Sequence, residues 1–205
     1  MSPRHHPSSE VLAAYASGTL EAGFALVVAA HLDGCADCRS HVATLQAASG
    51  QALRELPEAE MSAEAFASVL ARLGEQSAAP AVREHRTFLE RLPLKPRKWV
   101  APGVWVAAVD TPHEPDNRVY VLSVAAGAMT ARHEHAGAEF CTVLEGAFRD
   151  ETGVYRAGDF ASAGEDLNHQ PVIEGDQACV CLFATEGRLK PQGVLGRMAF
   201  MYANV

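Results

Sequence analysis

The hydrophobic pattern changes its period once along the 205-residue chain, and that change asks for two kinds of core. Over residues 8–73 apolar side chains recur three and four apart, the spacing of helices that bury one stripe. From about residue 98 they alternate with period two, as in Val104-Trp-Val-Ala-Ala-Val and Val119-Tyr-Val-Leu-Ser-Val, with glycines at 127, 146, 153, 158, 164 and 175 between them. Short strands punctuated this way suit an all-β barrel or jelly roll. The small, polar stretch Gly74-Glu-Gln-Ser-Ala-Ala-Pro-Ala reads as a linker. The expected fold class is therefore α+β in two domains: a helical bundle over 1–75, a linker over 76–90 and a β domain over 91–205.

Ser8 or Ser9 is placed to cap a first helix that ends near Gly18, and Thr19 to cap a second. In the second, Phe24, Val27 and Val28 follow i, i+3, i+4, and His31 falls on the same inner face. A third helix is expected from about Cys38 to Leu53. Pro57 then breaks the chain, and Ser62 can cap a fourth helix with the stripe Phe66, Val69, Leu70, Leu73. That stripe can pack within its own bundle or lie in a partner's groove, and its separation by Pro57 favours the partner.

Composition removes several function classes. Hydrophobic residues make up 48% and charged residues 20%. That is enough apolar material for a core. The net charge of -8 argues against a general nucleic-acid binder. The footprint of such a protein is basic. Residues 1–75 hold nine acidic against four basic side chains, and residues 76–100 six basic against two acidic, so an acidic helical half precedes a basic junction. The longest apolar run, Ala22 to Ala30, is nine residues. A membrane span needs about 20. The start Met-Ser-Pro-Arg-His-His-Pro has no apolar region behind a basic one, so no secretory leader is expected and the cytoplasm is the expected location.

Five cysteines, an odd count, make a poor disulfide framework in such a chain. The close pair instead sits in His31-Leu-Asp-Gly-Cys35-Ala-Asp-Cys38, an H-x3-C-x2-C pattern. Thiolate and imidazole suit tetrahedral zinc, and a thiol at a helix start is further favoured as thiolate by the backbone N–H groups there. His31 ends one helix and Cys38 begins the next, so an ion would staple the two, and a bundle of about 70 residues gains most from a staple. A redox dithiol of thioredoxin type usually follows a strand, whereas here a helix precedes. His5, His6 and His41 are all candidates for the fourth ligand.

The second constellation is His133, His135 and Glu139, flanked by Gly127 and Gly146. The three share parity, so on one strand they face one side and a barrel would gather them. His169, after Gly158-Asp159, can join from another strand. Three imidazoles and a carboxylate suit Zn, Fe, Mn or Ni. Cys141 shares the parity of Glu139, and Cys179 and Cys181 share a face on a later strand; each is more often a small core residue than a reactive group.

The spacing G-x5-H-x-H-x3-E-x6-G resembles the first cupin motif at every defined position. The second cupin motif departs, with Gly164 where Pro stands and Asp166 where a later Gly stands. Arg4-His5-His6 with H-x3-C-x2-C resembles the zinc-binding anti-sigma domain. Glu145-Gly-Ala-Phe-Arg-Asp-Glu-Thr, with the domain order and the Cys179-Val-Cys181-Leu strand, is similar to the ChrR-type anti-sigma factors. The resemblance implies that His6 completes a zinc site with His31, Cys35 and Cys38, and that the cupin residues His133, His135, Glu139 and His169 bind a second zinc. It implies a regulator that holds an extracytoplasmic-function sigma factor, contacts neither DNA nor membrane, and releases sigma on singlet oxygen or related oxidants. Two other functions fit the same residues: a metal-dependent cupin enzyme, dioxygenase or isomerase, and a metal or redox sensor with no sigma partner. The first lacks a further acid–base pair to define a substrate.

Overall fold

A computed structural model of the chain describes residues 2–75, 86–111 and 117–204. Arg83, in the expected basic junction, and most of the expected linker lie outside the described residues. The helical half comprises α1 (Ser9–Ser17), α2 (Ala22–Gly34), α3 (Ala36–Arg54) and α4 (Ala65–Glu75), and a single turn, α5 (Phe88–Arg91), leads into the β half. Ser8 caps α1 by accepting Val11 N–H, and Gly18 closes it in the left-handed conformation. Thr19 does not cap α2. Its hydroxyl bonds Ala14 O and Ser17 at the end of α1, while Glu21 precedes α2 with no side-chain cap. Cys35, rather than Cys38, opens α3, and its Sγ accepts Cys38 N–H. Thr87 and Glu90 form a reciprocal capping box on α5.

The β half contains β1 (Lys98–Ala101), β2 (Val104–Ala108), β3 (Asn117–Val124), β4 (His133–Glu134), β5 (Glu139–Glu145), β6 (Ala147–Arg149), β7 (Val154–Arg156), β8 (Phe160–Ala163), β9 (Val172–Ile173), β10 (Cys179–Glu186) and β11 (Lys190–Pro191). A six-stranded antiparallel sheet runs β1-β2-β3-β10-β5-β8 and is accompanied by two small sheets, β7-β6-β9 and β11-β4. Gly146, the glycine that closes the first histidine motif, turns the chain from β5 to β6 at φ 73°. Only glycine takes that conformation freely, and a Cβ there would strike Ala178 O. A C-terminal helix, α6 (Val194–Ala203), follows; no feature singled out in the sequence marks it.

The two halves share one core. Helix α2 is apolar along most of its length and buries Phe24, Val27 and Val28 in the same cluster as Val121, Phe160, Leu182 and Ala184 of the sheet. The rings of Phe24 and Phe140 meet edge-on at 4.8 Å. That is a favoured geometry for two aromatic rings. The buried hydroxyl of Thr142, on β5, donates to Val27 O at 2.8 Å. Phe88, Leu89 and Leu92 of the α5 region pack on the same cluster. Helix α4 is different: Phe66, Val69, Leu70 and Leu73 are 50–72% exposed. Among the described residues no single helix is long and apolar enough to cross a membrane, and α1 and α2 pass that test only as a pair bent by 112°.

Candidate metal centres

The first centre forms where the strap of residues 2–7 meets the end of α2 and the start of α3. His31 is in the last turn of α2 and fully buried, Cys35 and Cys38 open α3, and His6 arrives from the strap as the exposed member. His6 Nδ1 lies 3.4 Å from His31 Nε2, 3.5 Å from Cys35 Sγ and 3.4 Å from Cys38 Sγ, and His31 Nε2 lies 3.4 Å from Cys38 Sγ. A tetrahedral ion bonded to nitrogen at about 2.0–2.1 Å and to sulfur at about 2.3 Å spaces its donors about 3.4–3.8 Å apart, so this donor set fits zinc. His5 turns away and sets its ring against Tyr155, tilted by 40° with centroids 4.5 Å apart, and His41 is exposed on α3, outside the cluster.

The protonation states agree with the geometry. His31 Nδ1 donates to Gly158 O at 2.7 Å. That bond sets the tautomer and leaves the Nε2 lone pair facing the cluster. Burial pulls the His31 pKa down and keeps the ring neutral. Burial pushes the Cys38 thiol up to about 12, with the Cys35 hydrogen bond, the Cys35 charge and Asp37 adding to it. A thiol held there ionises only beside a cation.

The second centre lies inside the β half. His133 is on β4, His135 follows it, Glu139 begins β5, and His169 is held opposite His133 by a backbone bridge. All four are buried, and their ligand atoms lie within 4.8 Å of one another. Each imidazole spends its Nδ1 proton outward: His133 to Ala131 O at 2.8 Å, His135 to Leu167 O at 3.2 Å, and His169 to Asp150 Oδ2 at 2.7 Å. Three Nε2 lone pairs therefore point inward, with His133 Nε2 and His169 Nε2 only 3.1 Å apart. Lone pairs this close repel unless a cation lies between them. His135 Nε2 and Glu139 Oε2 are buried with no hydrogen-bond partner. A bound metal removes that cost.

Charge in this centre follows from burial and from Glu139. Burial lowers the His133 pKa. Burial also draws His135 down, but the Glu139 carboxylate, 3.3 Å from its Nε2, with the Leu167 and Gly164 carbonyls, holds it above its ordinary value. Asp150 is raised by burial, yet hydrogen bonds from His169 and Thr152 bring it to about 2. It is therefore ionised and orients His169. Sequence reasoning missed Asp150, because nothing in its spacing from the histidines marks it.

A cavity of about 190 Å³ opens onto this centre. Apolar side chains such as Val106, Leu122, Phe148, Ile173 and Phe183 line it, and Phe200 of α6 reaches it beside His133, with ring centroids 5.6 Å apart. Cys141, Cys179 and Cys181 also face it, with 3.6 Å between the sulfurs of Cys179 and Cys181. Burial first raises the Cys141 thiol; the Cys181 hydrogen bond first raises Cys179, and the Cys141 hydrogen bond first raises Cys181. All three are protonated and poorly nucleophilic in this state.

Comparisons with known proteins agree with the architecture. A family model described as "ChrR Cupin-like domain" matches residues 92–189. The chain is 35% identical over 206 residues to the anti-sigma-E factor ChrR of Cereibacter sphaeroides, spanning 97% of each chain. It is also similar to the crystal structure of Rhodobacter sphaeroides SigE in complex with the anti-sigma ChrR, with a TM-score of 0.77 and 37% identity over 90% of this chain and 100% of that one.

Proposed function

The chain belongs to the ChrR family of anti-sigma factors, and from that premise we propose how it works: it binds and inhibits an extracytoplasmic-function sigma factor and releases it under oxidative stress. It is a regulator rather than an enzyme. We assign residues 1–75 as the sigma-binding unit, 76–90 as the link and 91–205 as the sensing cupin, and place the protein in the cytoplasm. His6, His31, Cys35 and Cys38 hold one zinc ion, and His133, His135, Glu139 and His169 hold a second. Zinc, when bound, supplies strong directional bonds that tie side chains from separate elements together. In the first centre the ligands fix the strap, α2 and α3 in one arrangement. In the second they hold β4, β5 and the segment before β9 in register, in reach of an oxidant such as singlet oxygen, which attacks imidazole and thiol side chains. The pocket-lining thiols add targets if opening of the barrel lets them ionise.

The observation that carries the inhibitory role is the apolar face of α4. Phe66 is 72% exposed and Leu73 61%. They sit on a helix of an acidic half, and that half pairs in charge with the basic, DNA-facing surfaces of a sigma factor. Such a stripe is exposed to water only at a cost, which a partner groove removes. Co-purification tests this. With Phe66→Asp and Leu70→Asp together, the sigma factor should be lost from the complex while metal content is unchanged, because neither side chain supports the chain's own core. Undiminished sigma binding would show that the face of α4 is not the docking surface.

A further inference from the structure

Residues 2–6 run along the edge of the cupin sheet before His6 enters the first centre. They have no helix or strand of their own, so something outside the strap must order them. The Asp159 carboxylate does so. It is 2% exposed, and its Oδ1 accepts Arg4 N–H at 2.6 Å and His5 N–H at 3.1 Å. Its Oδ2 accepts Arg156 N–H at 2.8 Å and closes the turn between β7 and β8. Phe160, the first residue of edge strand β8, adds a bond from its N–H to His5 O at 3.0 Å. Pro3 packs over Gly158, where a Cβ would come within 3.0 Å of Pro3 Cγ.

The same turn holds a second ligand, since Gly158 O is the acceptor that fixes His31. It is also tied to β5, the strand that carries Glu139: Gly158 N–H donates to Val143 O at 2.8 Å and Val143 N–H to Asp159 O at 3.0 Å. From the other side, His169 of the cupin centre bonds Asp150, Asp150 bonds Thr152, and Thr152 meets the Tyr155 hydroxyl at 2.9 Å, with the His5 ring on Tyr155. A buried carboxylate of the β half thus touches the backbone next to a ligand of the helical centre.

We propose that Asp159 is the positioning residue of the first metal centre: it anchors the strap that presents His6, so that a turn of the cupin half sets the grip of the helical half on its ion. The inference rests on the reading that His6, His31, Cys35 and Cys38 hold zinc. The physical reason is entropic. A free strap must be ordered at the moment its imidazole binds, and the anchor removes that cost beforehand. Without the anchor the centre keeps three ligands from α2 and α3 and a tethered, mobile fourth.

The test uses the full-length zinc-loaded chain in competition with a chromophoric zinc chelator, which resolves a tighter and a weaker ion. Asp159→Ala should weaken one of the two ions by about 10–100-fold, the usual effect of removing a group that orients a ligand. A double-mutant cycle separates positioning from mere stability of the turn. In a His6→Ala background the strap no longer brings a ligand, so Asp159→Ala should have a much smaller effect on that ion, the remainder passing through the Gly158 carbonyl that holds His31. Asp159→Asn, which keeps an oxygen acceptor and the fold of the turn, should fall between the wild type and alanine. The proposal is overturned if Asp159→Ala leaves both ions held as in the wild type, or weakens them equally with and without His6. A chain whose zinc content is indifferent to Cys35→Ser and Cys38→Ser would overturn the parent reading as well.

Discussion

Replacing Phe24 by alanine tests whether the helical and cupin halves melt as one body. Phe24 is 6% exposed, packs edge-on against Phe140, and through Phe140 reaches Phe160 at 5.1 Å, beside His31. Truncating a buried phenylalanine costs about 3–5 kcal/mol, transfer and cavity terms together. In a protein of this size each kcal/mol moves the melting temperature by about 2–4 °C, so Phe24→Ala should melt about 6–20 °C lower. Two reporters divide the molecule. Both tryptophans, Trp99 and Trp105, lie in the β half, and buried Trp105 carries the Arg97 guanidinium 4.2 Å above its ring. Zinc release into a chromophoric chelator, read in a Glu139→Ala background that leaves only the first centre loaded, follows the helical half. If the shared core is real, tryptophan emission and zinc release shift down together. A tryptophan transition that stays at the wild-type temperature while zinc leaves early would refute it, and would mean that α2 only rests on the sheet.

Purified without chelator, each chain should carry about two metal ions, because two separate ligand sets meet the requirements of closed sites, and elemental analysis reads this directly. Cys35→Ser with Cys38→Ser should lose one ion and sigma binding; full inhibition by that double variant would contradict the staple. His133→Ala or Glu139→Ala should empty the cupin centre, keep a sigma-dependent reporter silent without oxidant and blunt its rise under singlet oxygen. A normal oxidant response from a variant proven metal-free in the cupin would remove that metal from the sensor, and high expression without oxidant would mean that the metal-bound cupin is itself needed for inhibition.

The site was more legible in the sequence than the packing around it. Ligand spacing is local: H-x3-C-x2-C spans one helix junction, and His133, His135 and Glu139 span a few residues, although they do not share the single strand their parity suggests, because β4 ends at Glu134 and β5 begins at Glu139. His169 needed the barrel, and the choice among His5, His6 and His41 needed the strap, because the candidates differ only in which way the backbone turns. The sheet's outer face was hidden for a different reason. Alternation predicts one wet face, yet along β10 Cys179, Val180, Cys181 and Leu182 are all buried, because α2 covers the side that would otherwise meet water. Asp159 was legible only as part of a Gly-Asp marker before His169. Its contacts with Arg4 and His5 join opposite ends of the two halves, and no local pattern encodes them. The α4 stripe is the converse case: its period gave the helix, and only the structure shows that the described residues leave it exposed.

Transcription in a purified system tests the central claim, that a metal-stapled helical half holds the sigma factor. Polymerase core, the cognate sigma factor and a promoter are mixed with the chain, either zinc-loaded or stripped by chelator and dialysed. The loaded chain should silence transcription at about one chain per sigma, the stripped chain should not, and zinc returned to the stripped chain should restore silencing. Equal silencing by loaded and stripped chains would contradict it, because the arrangement of the strap, α2 and α3 would then owe nothing to the ion.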